Sequence, residues 1–287
     1  MNGIIIINKP QNCTSHDVVY KVRKILNTKV GHSGTLDPMA TGVLPILIGR
    51  GTLLSKYLVN HDKIYDVVLK LGTKTDTADC EGNIICQENV DQNILNEINT
   101  KQILKQLIGK QKQIPPMYSA IKYKGKKLYE YARKGIDIEV EPREIEIYDI
   151  NLLLLEREKL QLHFRVNCSK GTYIRSLCED ISTKLGTVGY MKSLNRIQVG
   201  DFIIDKSINL HDIRSDNIDF IKQNIISIEE YFINKGKIVL NNKKLKLFLN
   251  GVKLSYLLGD DIYRIYNNNN FIGLGEVRNK LLKRDII

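Results

Sequence analysis

The stretch from Gly31 to Gly49 constrains this chain more tightly than any other. It reads Gly31-His32-Ser33-Gly34-Thr35-Leu36-Asp37-Pro38, then Met39-Ala40-Thr41-Gly42, then the apolar run Val43-Leu44-Pro45-Ile46-Leu47-Ile48 before Gly49. Glycines permit positive φ and close approach of a second segment. Pro38 turns Asp37 away from the helical region toward an extended conformation. The pattern predicts a shaped loop that presents one carboxylate and runs into a buried strand. Glycine-rich turns ahead of strands are also often purely structural, so the loop alone leaves a functional and a structural reading open.

Elsewhere the periodicities alternate between helix and strand. Ile4 to Ile7 predicts a short buried strand. Ser15 is positioned to cap a helix with Asp17 in its first turn, and Val18, Val19, Val22, Ile25 and Leu26 share one helical face. Leu53, Leu54, Tyr57 and Leu58 suggest another helix. Tyr65, Val67, Leu69 and Leu71 alternate on one face of a strand, as do Leu162, Phe164 and Val166. Thr75 to Gly82 lacks calcium-loop spacing and reads as a hydrogen-bonded turn. Residues 91–108 predict a helix. The run Cys168-Ser169-Lys170-Gly171-Thr172-Tyr173-Ile174-Arg175 joins a strand to a helix carrying Ile174, Leu177, Cys178, Ile181 and Leu185, which Gly186 stops. A new unit begins near Lys235, with short strands at 237–241, 252–257, 262–266 and 271–275.

The charge balance points to a partner. Forty-three Lys and Arg oppose 32 Asp and Glu, a formal net charge of +11, which favours a polyanion such as nucleic acid. A solvated lysine surface in an Ile/Lys/Asn-rich chain accounts for part of it. Between 109 and 143, Lys110, Lys112, Lys122, Lys124, Lys126, Lys127, Arg133 and Lys134 interleave with Tyr118, Tyr123, Tyr129 and Tyr131. Ammonium groups neutralise phosphates and tyrosine rings stack on unpaired bases. The five cysteines are odd in number and form no CxxC pair, so disulfides and structural zinc are not expected. Ile4 to Ile7 is too short for a signal-peptide core and no run reaches membrane-spanning length, so a cytoplasmic setting is expected.

Several chemistries lack their signatures. The histidines show no metal-binding spacing, and GxSxG, GxGxxG and a P-loop are missing. What remains is Asp37 with His32 on a loop, several tyrosines, and Arg175 at a junction. An arginine beside an aspartate lowers its pKa, and an ionised carboxylate can act as a nucleophile.

Taken together the motifs resemble the TruB family of tRNA pseudouridine synthases. The similarity runs through Gly31-His32-x-Gly-x-Leu36-Asp37-Pro38, Asn8-Lys9-Pro10, Tyr65, Thr75-Asp76-Thr77-x-Asp79, Pro116-Met117-Tyr118-Ser119-Ala120-x-Lys122, Lys127-Leu128-Tyr129, Ser169 to Arg175, and Lys192-Ser193-Leu194-x-Arg196, in family order. The resemblance implies an α+β fold, with a mixed, largely antiparallel sheet flanked by helices and a small C-terminal β-rich PUA-like domain. It divides the chain into a catalytic domain over 1–234, with a mobile RNA-clasping insertion over 113–141, and an RNA-binding domain over 235–287. It implies isomerisation of the uridine at position 55 in the T loop of tRNA to pseudouridine, together with a possible tRNA-folding role. By the same resemblance Asp37 is the essential aspartate and Arg175 its partner. Tyr65 stacks on the target base, Tyr173 organises the pocket, Leu194 forms its apolar wall, and His32 enters the T loop to fill the stack. Lys9 is expected to support the site. No cofactor, metal, membrane or obligatory protein partner is expected, and the chain is expected to act as a monomer on tRNA. Two other classes remain in view: a non-catalytic RNA-folding protein, and an enzyme that cleaves the glycosidic bond and releases free uracil.

Overall fold

Apolar residues at every second position between 63 and 71 demand a strand with one covered face. The computed structural model, which describes residues 1–91, 93 and 95–287, sets that strand inside a ten-stranded sheet. In chain order the first half comprises β1 (Gly3–Lys9), α1 (Ser15–Leu26), β2 (Val30–His32), β3 (Thr41–Ile48), α2 (Ser55–Leu58), β4 (Lys63–Leu71), β5 (Thr73–Thr75), β6 (Ile84–Gln87), α3 (Glu97–Lys105), β7 (Gly109–Gln113), β8 (Lys122–Tyr123), β9 (Lys126–Lys127) and α4 (Leu128–Ala132). There follow β10 (Arg143–Glu156), β11 (Gln161–Cys168), α5 (Ile174–Lys184), β12 (Gly189–Val199), β13 (Phe202–Ile203), β14 (Ile208–Asn209), α6 (Ile218–Gln223) and α7 (Ile228–Tyr231). The chain closes with β15 (Lys237–Val239), α8 (Asn242–Leu249), β16 (Leu254–Ser255), β17 (Asp261–Asn267), β18 (Asn270–Arg278) and β19 (Leu281–Ile286).

The large sheet runs β14-β1-β3-β12-β4-β11-β10-β7, with β2 beside β3 and β13 beside β12. Its pairs are antiparallel except β1 with β14 and β3 with β12. This is the mixed, largely antiparallel α+β arrangement that the family resemblance implies. Its two faces have different neighbours. On one, Ile5, Ile7, Leu44, Ile46, Val67, Phe164 and Val166 pack against Val18 and Val22 of α1 and Leu177 and Ile181 of α5. On the other, Ile4, Ile6, Val43 and Leu47 meet Phe202, Ile228 and Phe232, and with them Leu274 and Ile286 of the second sheet. That five-stranded sheet, β15-β17-β18-β19-β16, has a core of its own around Phe248, Ile265, Val277 and Leu282. Tyr57 and Lys56 also donate to the Asp285 carboxylate across the junction.

Three local expectations need correction. The cap of α1 is Thr14, whose hydroxyl accepts from the Asp17 N–H while the Asp17 carboxylate accepts from the Thr14 N–H. Ser15 is the first helical residue and its hydroxyl is used elsewhere. The helix expected over 91–108 is confined to Glu97–Lys105, where Asn96 caps it; residues 92 and 94 of that stretch lie outside the described residues. The C-terminal unit contains a helix, α8, and a fifth strand, β19, that the strand pattern did not include. The α8 segment is lysine-rich with apolar side chains three apart, Leu245 and Phe248, which anchor it to the small core. No helix among the described residues is long and apolar enough to cross a membrane.

Leu274 is wholly buried where the two sheets meet. Leu274→Ala should lower the unfolding free energy by about 2–5 kcal/mol, read from the urea midpoint of the full chain.

Candidate active site

Asp37 lies on the loop that joins β2 to β3, two strands paired in antiparallel register from Val30 opposite Ile48 to His32 opposite Ile46. The loop is held from three directions. Ser15, at the start of α1, donates its hydroxyl to the Leu36 carbonyl at 3.1 Å and accepts the Leu36 N–H at 2.9 Å. Lys9, wholly buried at the end of β1, donates to the carbonyls of Pro10 at 2.8 Å, Cys13 at 2.5 Å and Pro38 at 3.2 Å. Arg196 of β12, only 1% exposed, donates from Nε to the Val43 carbonyl at 2.8 Å, from Nη2 to Gly34 at 2.9 Å and from Nη1 to Thr35 at 3.4 Å. Gly42 has φ +105°, and a Cβ there would sit 2.2 Å from the Arg196 carbonyl oxygen. A glycine is therefore required where the loop passes into β3 against β12.

This mount leaves the Asp37 side chain 33% exposed and brings it to Arg175, whose Nε lies 3.2 Å from Oδ2. The guanidinium, itself 7% exposed, also faces Asp79 at 3.6 Å and donates to the carbonyls of Thr77 at 3.3 Å and Tyr118 at 2.9 Å. Asp79 is held in turn by the Thr77 hydroxyl at 2.6 Å and the Glu81 N–H at 3.1 Å. The arginine was expected to lower the Asp37 pKa. Burial among the surrounding protein wins instead and pushes the carboxyl above the ordinary aspartate range. Arg175 pulls it back, Asp79 pushes it further up, and Lys9 and Arg196 pull it down.

The sheet supplies two further residues expected at the site. Tyr65 on β4 stands opposite Arg196 on β12 and Val166 on β11, and Leu194 stands opposite Val67, so Tyr65 and Leu194 share one face. Both are 7% exposed. Burial pushes the Tyr65 pKa up to about 12, and the nearby Arg196 guanidinium pulls it back. Tyr173 is extended, with φ −95° and ψ 111°, immediately before α5. His32 closes β2 at the first end of the loop; its Nδ1 is buried without a hydrogen-bond partner, and burial lowers its pKa. Among the described residues neither His32 nor Tyr173 bonds to Asp37. Thus Asp37 and Arg175 pair directly, Tyr65 and Leu194 line the sheet face beside them, and His32 and Tyr173 flank from separate elements.

Asp79 and Arg196 were not among the site residues expected from sequence, and each had left a signal. Arg196 occupies the same face of β12 as Leu194, a charge where the strand's phase calls for an apolar residue. Asp79 sits in a threonine-rich turn whose purpose the spacing did not reveal. No cluster of three or more His, Cys, Asp or Glu among the described residues could hold a metal ion. The arrangement presents a partly exposed carboxylate held against a buried guanidinium.

Residues 23–174 match the model for the TruB family pseudouridylate synthase (N terminal domain), and residues 175–228 match that for the tRNA pseudouridylate synthase B C-terminal domain. The tRNA pseudouridine synthase B of Clostridium tetani is 46% identical over 287 residues, covering 96% of this chain and 96% of its own length. That of Francisella philomiragia is 41% identical, covering 99% of this chain and 94% of its own. Among solved structures, a chain of a Cbf5-Nop10-Gar1 complex superposes with a TM-score of 0.68 at 27% identity, covering 96% of this chain and 78% of that one. A chain of an H/ACA RNP bound to a substrate RNA containing 2'-deoxyuridine shares the fold, with a TM-score of 0.67 at 24% identity over 99% of this chain and 84% of that one.

A carboxyl raised by folding contributes stability that is complete below the ordinary aspartate value of 3.8 and is lost as pH rises through its folded value. Asp37→Asn should therefore raise the thermal midpoint near pH 7, with the gain shrinking to nothing on acidification below that ordinary value. Calorimetry across the range checks both limbs.

Proposed function

The chain belongs to the TruB family of pseudouridylate synthases, and from that premise we propose that it isomerises the uridine at position 55 in the T loop of tRNA, with Asp37 as the reacting carboxylate. Isomerisation of uridine to pseudouridine in tRNA itself rests on near-full-length identity above 40% to curated tRNA pseudouridine synthases. The observation that carries the finer reading is the 3.2 Å Arg175–Asp37 pair on a loop held by two buried cations, beside a wall of Tyr65 and Leu194.

The target nucleotide leaves the base stack and its uracil lies against Tyr65, with Leu194 as the apolar wall. The ionised Asp37 assists cleavage of the N1–C1′ bond, by attack at C1′ or by stabilising the charge that develops there. Arg175 orients the carboxylate and favours its charged form against the pull of burial. The freed base turns within the pocket, C5 bonds to C1′, the C5 proton departs and N1 gains one. Atoms and electrons balance within the substrate, and the proposal invokes no cofactor or metal. Tyr173 shapes the pocket, and His32 occupies the gap the base leaves, offsetting part of the unstacking cost. We assign RNA clasping to the insertion over 113–141 and PUA-like RNA binding to residues 235–287. The chain acts on tRNA as a monomer without an obligatory protein partner.

Mapping pseudouridine in tRNA treated with the purified protein should find it at position 55, and product elsewhere would overturn that placement. Asp37→Asn should abolish product while tRNA binding survives; turnover by this variant would remove Asp37 from the chemistry, and persistence of tRNA refolding would separate a folding role from it. Because Asp37 must be ionised, the single-turnover rate should rise with pH through a midpoint above the ordinary aspartate value.

The hairpin of β8 and β9 carries Lys122, Lys126 and Lys127 at the surface of the insertion. Replacing all three with alanine should weaken tRNA binding and reduce the slope of log K against log salt by about 2–3. An unchanged slope would exclude them from phosphate contact.

A further inference from the structure

The insertion leaves the sheet at the end of β7, and its first residues are laced to the start of α5. Gln113, 5% exposed, accepts the Tyr173 N–H on Oε1 at 2.8 Å and donates from Nε2 to the Tyr173 carbonyl at 3.0 Å. One carboxamide thus engages both backbone groups of one residue, as a neighbouring strand would. The same carbonyl accepts the Leu177 N–H at 3.1 Å, a bond of the first turn of α5. Two further bonds follow within that turn: Ser176 Oγ donates to the Ile114 carbonyl at 3.1 Å, and Arg175 Nη2 donates to the Tyr118 carbonyl at 2.9 Å.

The helix has no side-chain cap of its own at Tyr173. Without one, a helix start is poorly specified and frays. At α5 the carboxamide of Gln113 supplies the missing restraint from another strand. Arg175 stands two residues further on, close enough that a shift of the first turn moves its guanidinium.

We propose that Gln113 is a positioning residue for the reaction: by holding both peptide groups of Tyr173, it sets where α5 begins and so aims Arg175 at Asp37. The inference rests on the reading of Asp37 and Arg175 as the reacting pair. Because Arg175 also holds Tyr118, the root of the insertion and the catalytic carboxylate share one anchor. Loss of the carboxamide then impairs turnover rather than capture of tRNA, since the exposed lysines of the insertion are untouched.

Gln113→Met keeps the length and apolar volume of the side chain and removes both bonds. Gln113→Asn keeps the carboxamide one methylene short, and serves if the first variant does not fold. Gln111→Met is the control: Gln111 is on the same strand and donates to the Leu107 carbonyl at 3.0 Å. Single-turnover pseudouridine formation at saturating tRNA, tRNA Kd and thermal midpoint are measured for each, beside Asp37→Asn. The single-turnover rate of Gln113→Met should fall about ten- to hundred-fold. Its Kd should stay within about twofold of the parent, and Gln111→Met should match the parent in both. A parental rate in a folded Gln113 variant, or equal losses of rate and affinity, overturns the proposal while Asp37→Asn remains inactive. Unfolding of both Gln113 variants overturns it too, because the residue is then a stability element. Normal turnover by Asp37→Asn sinks the reading of the pair, and this inference with it.

Discussion

Among the described residues no carboxylate lies within salt-bridge distance of the buried Arg196, and the architecture of the site follows from how that cation is accommodated. A charged guanidinium taken out of water is costly unless its donors are matched. Here the matches are the carbonyls of Gly34, Thr35 and Val43. All three acceptors belong to the loop bearing Asp37 and the strand it enters, and Tyr65, the proposed base-stacking residue, stands opposite Arg196 on β4. Lys9 repeats the device from β1, with the Pro38 carbonyl among its acceptors. Burial weakens the hold of both groups on their protons. The loop is consequently ordered by the electrostatic needs of the core, with no regular secondary structure of its own.

The same burial acts against the carboxylate. Asp37 has three cations in its surroundings, yet desolvation prevails and its carboxyl rises. A second carboxylate, Asp79, draws on the same guanidinium. Arg175 is thus divided between two anions and two backbone carbonyls, which fixes its plane while diluting its pull on either acid. A site arranged only for stability would not place a second acid there. A site arranged to keep one arginine rigid beside a reactive carboxylate gains from it.

Much of this was legible in the sequence, for reasons that differ by element. The alternation at Tyr65, Val67, Leu69 and Leu71 and at Leu162, Phe164 and Val166 reports burial directly, and those strands lie side by side in the sheet. The glycine-shaped loop was legible because Gly42 permits a positive φ that other residues avoid and Pro38 restricts the residue before it. The pairing of Asp37 with Arg175 came from the family resemblance, because the two stand 138 positions apart and no periodicity spans them. Asp79 was hidden because a threonine-rich turn looks the same whether or not its carboxylate faces a cation. Ser15 was misread as a cap because Thr14, its neighbour, has the same chemistry; the hydroxyl so released holds Leu36. In the C-terminal unit, α8 is too short and too lysine-rich for its apolar spacing to stand out.

The order of synthesis gives β12 a particular importance. Chains emerge from their N-terminus, and contacts between distant segments form only once both are available. The carbonyl of Gly34 waits 162 residues for the guanidinium of Arg196, and Thr41 waits 154 for Asn195. Until that late strand takes its place between β3 and β4, the loop lacks the Arg196 clamp on Gly34, Thr35 and Val43. Arg175, which precedes β12, and Arg196, which lies on it, are both absent for most of elongation, so the surroundings of Asp37 are completed late in synthesis.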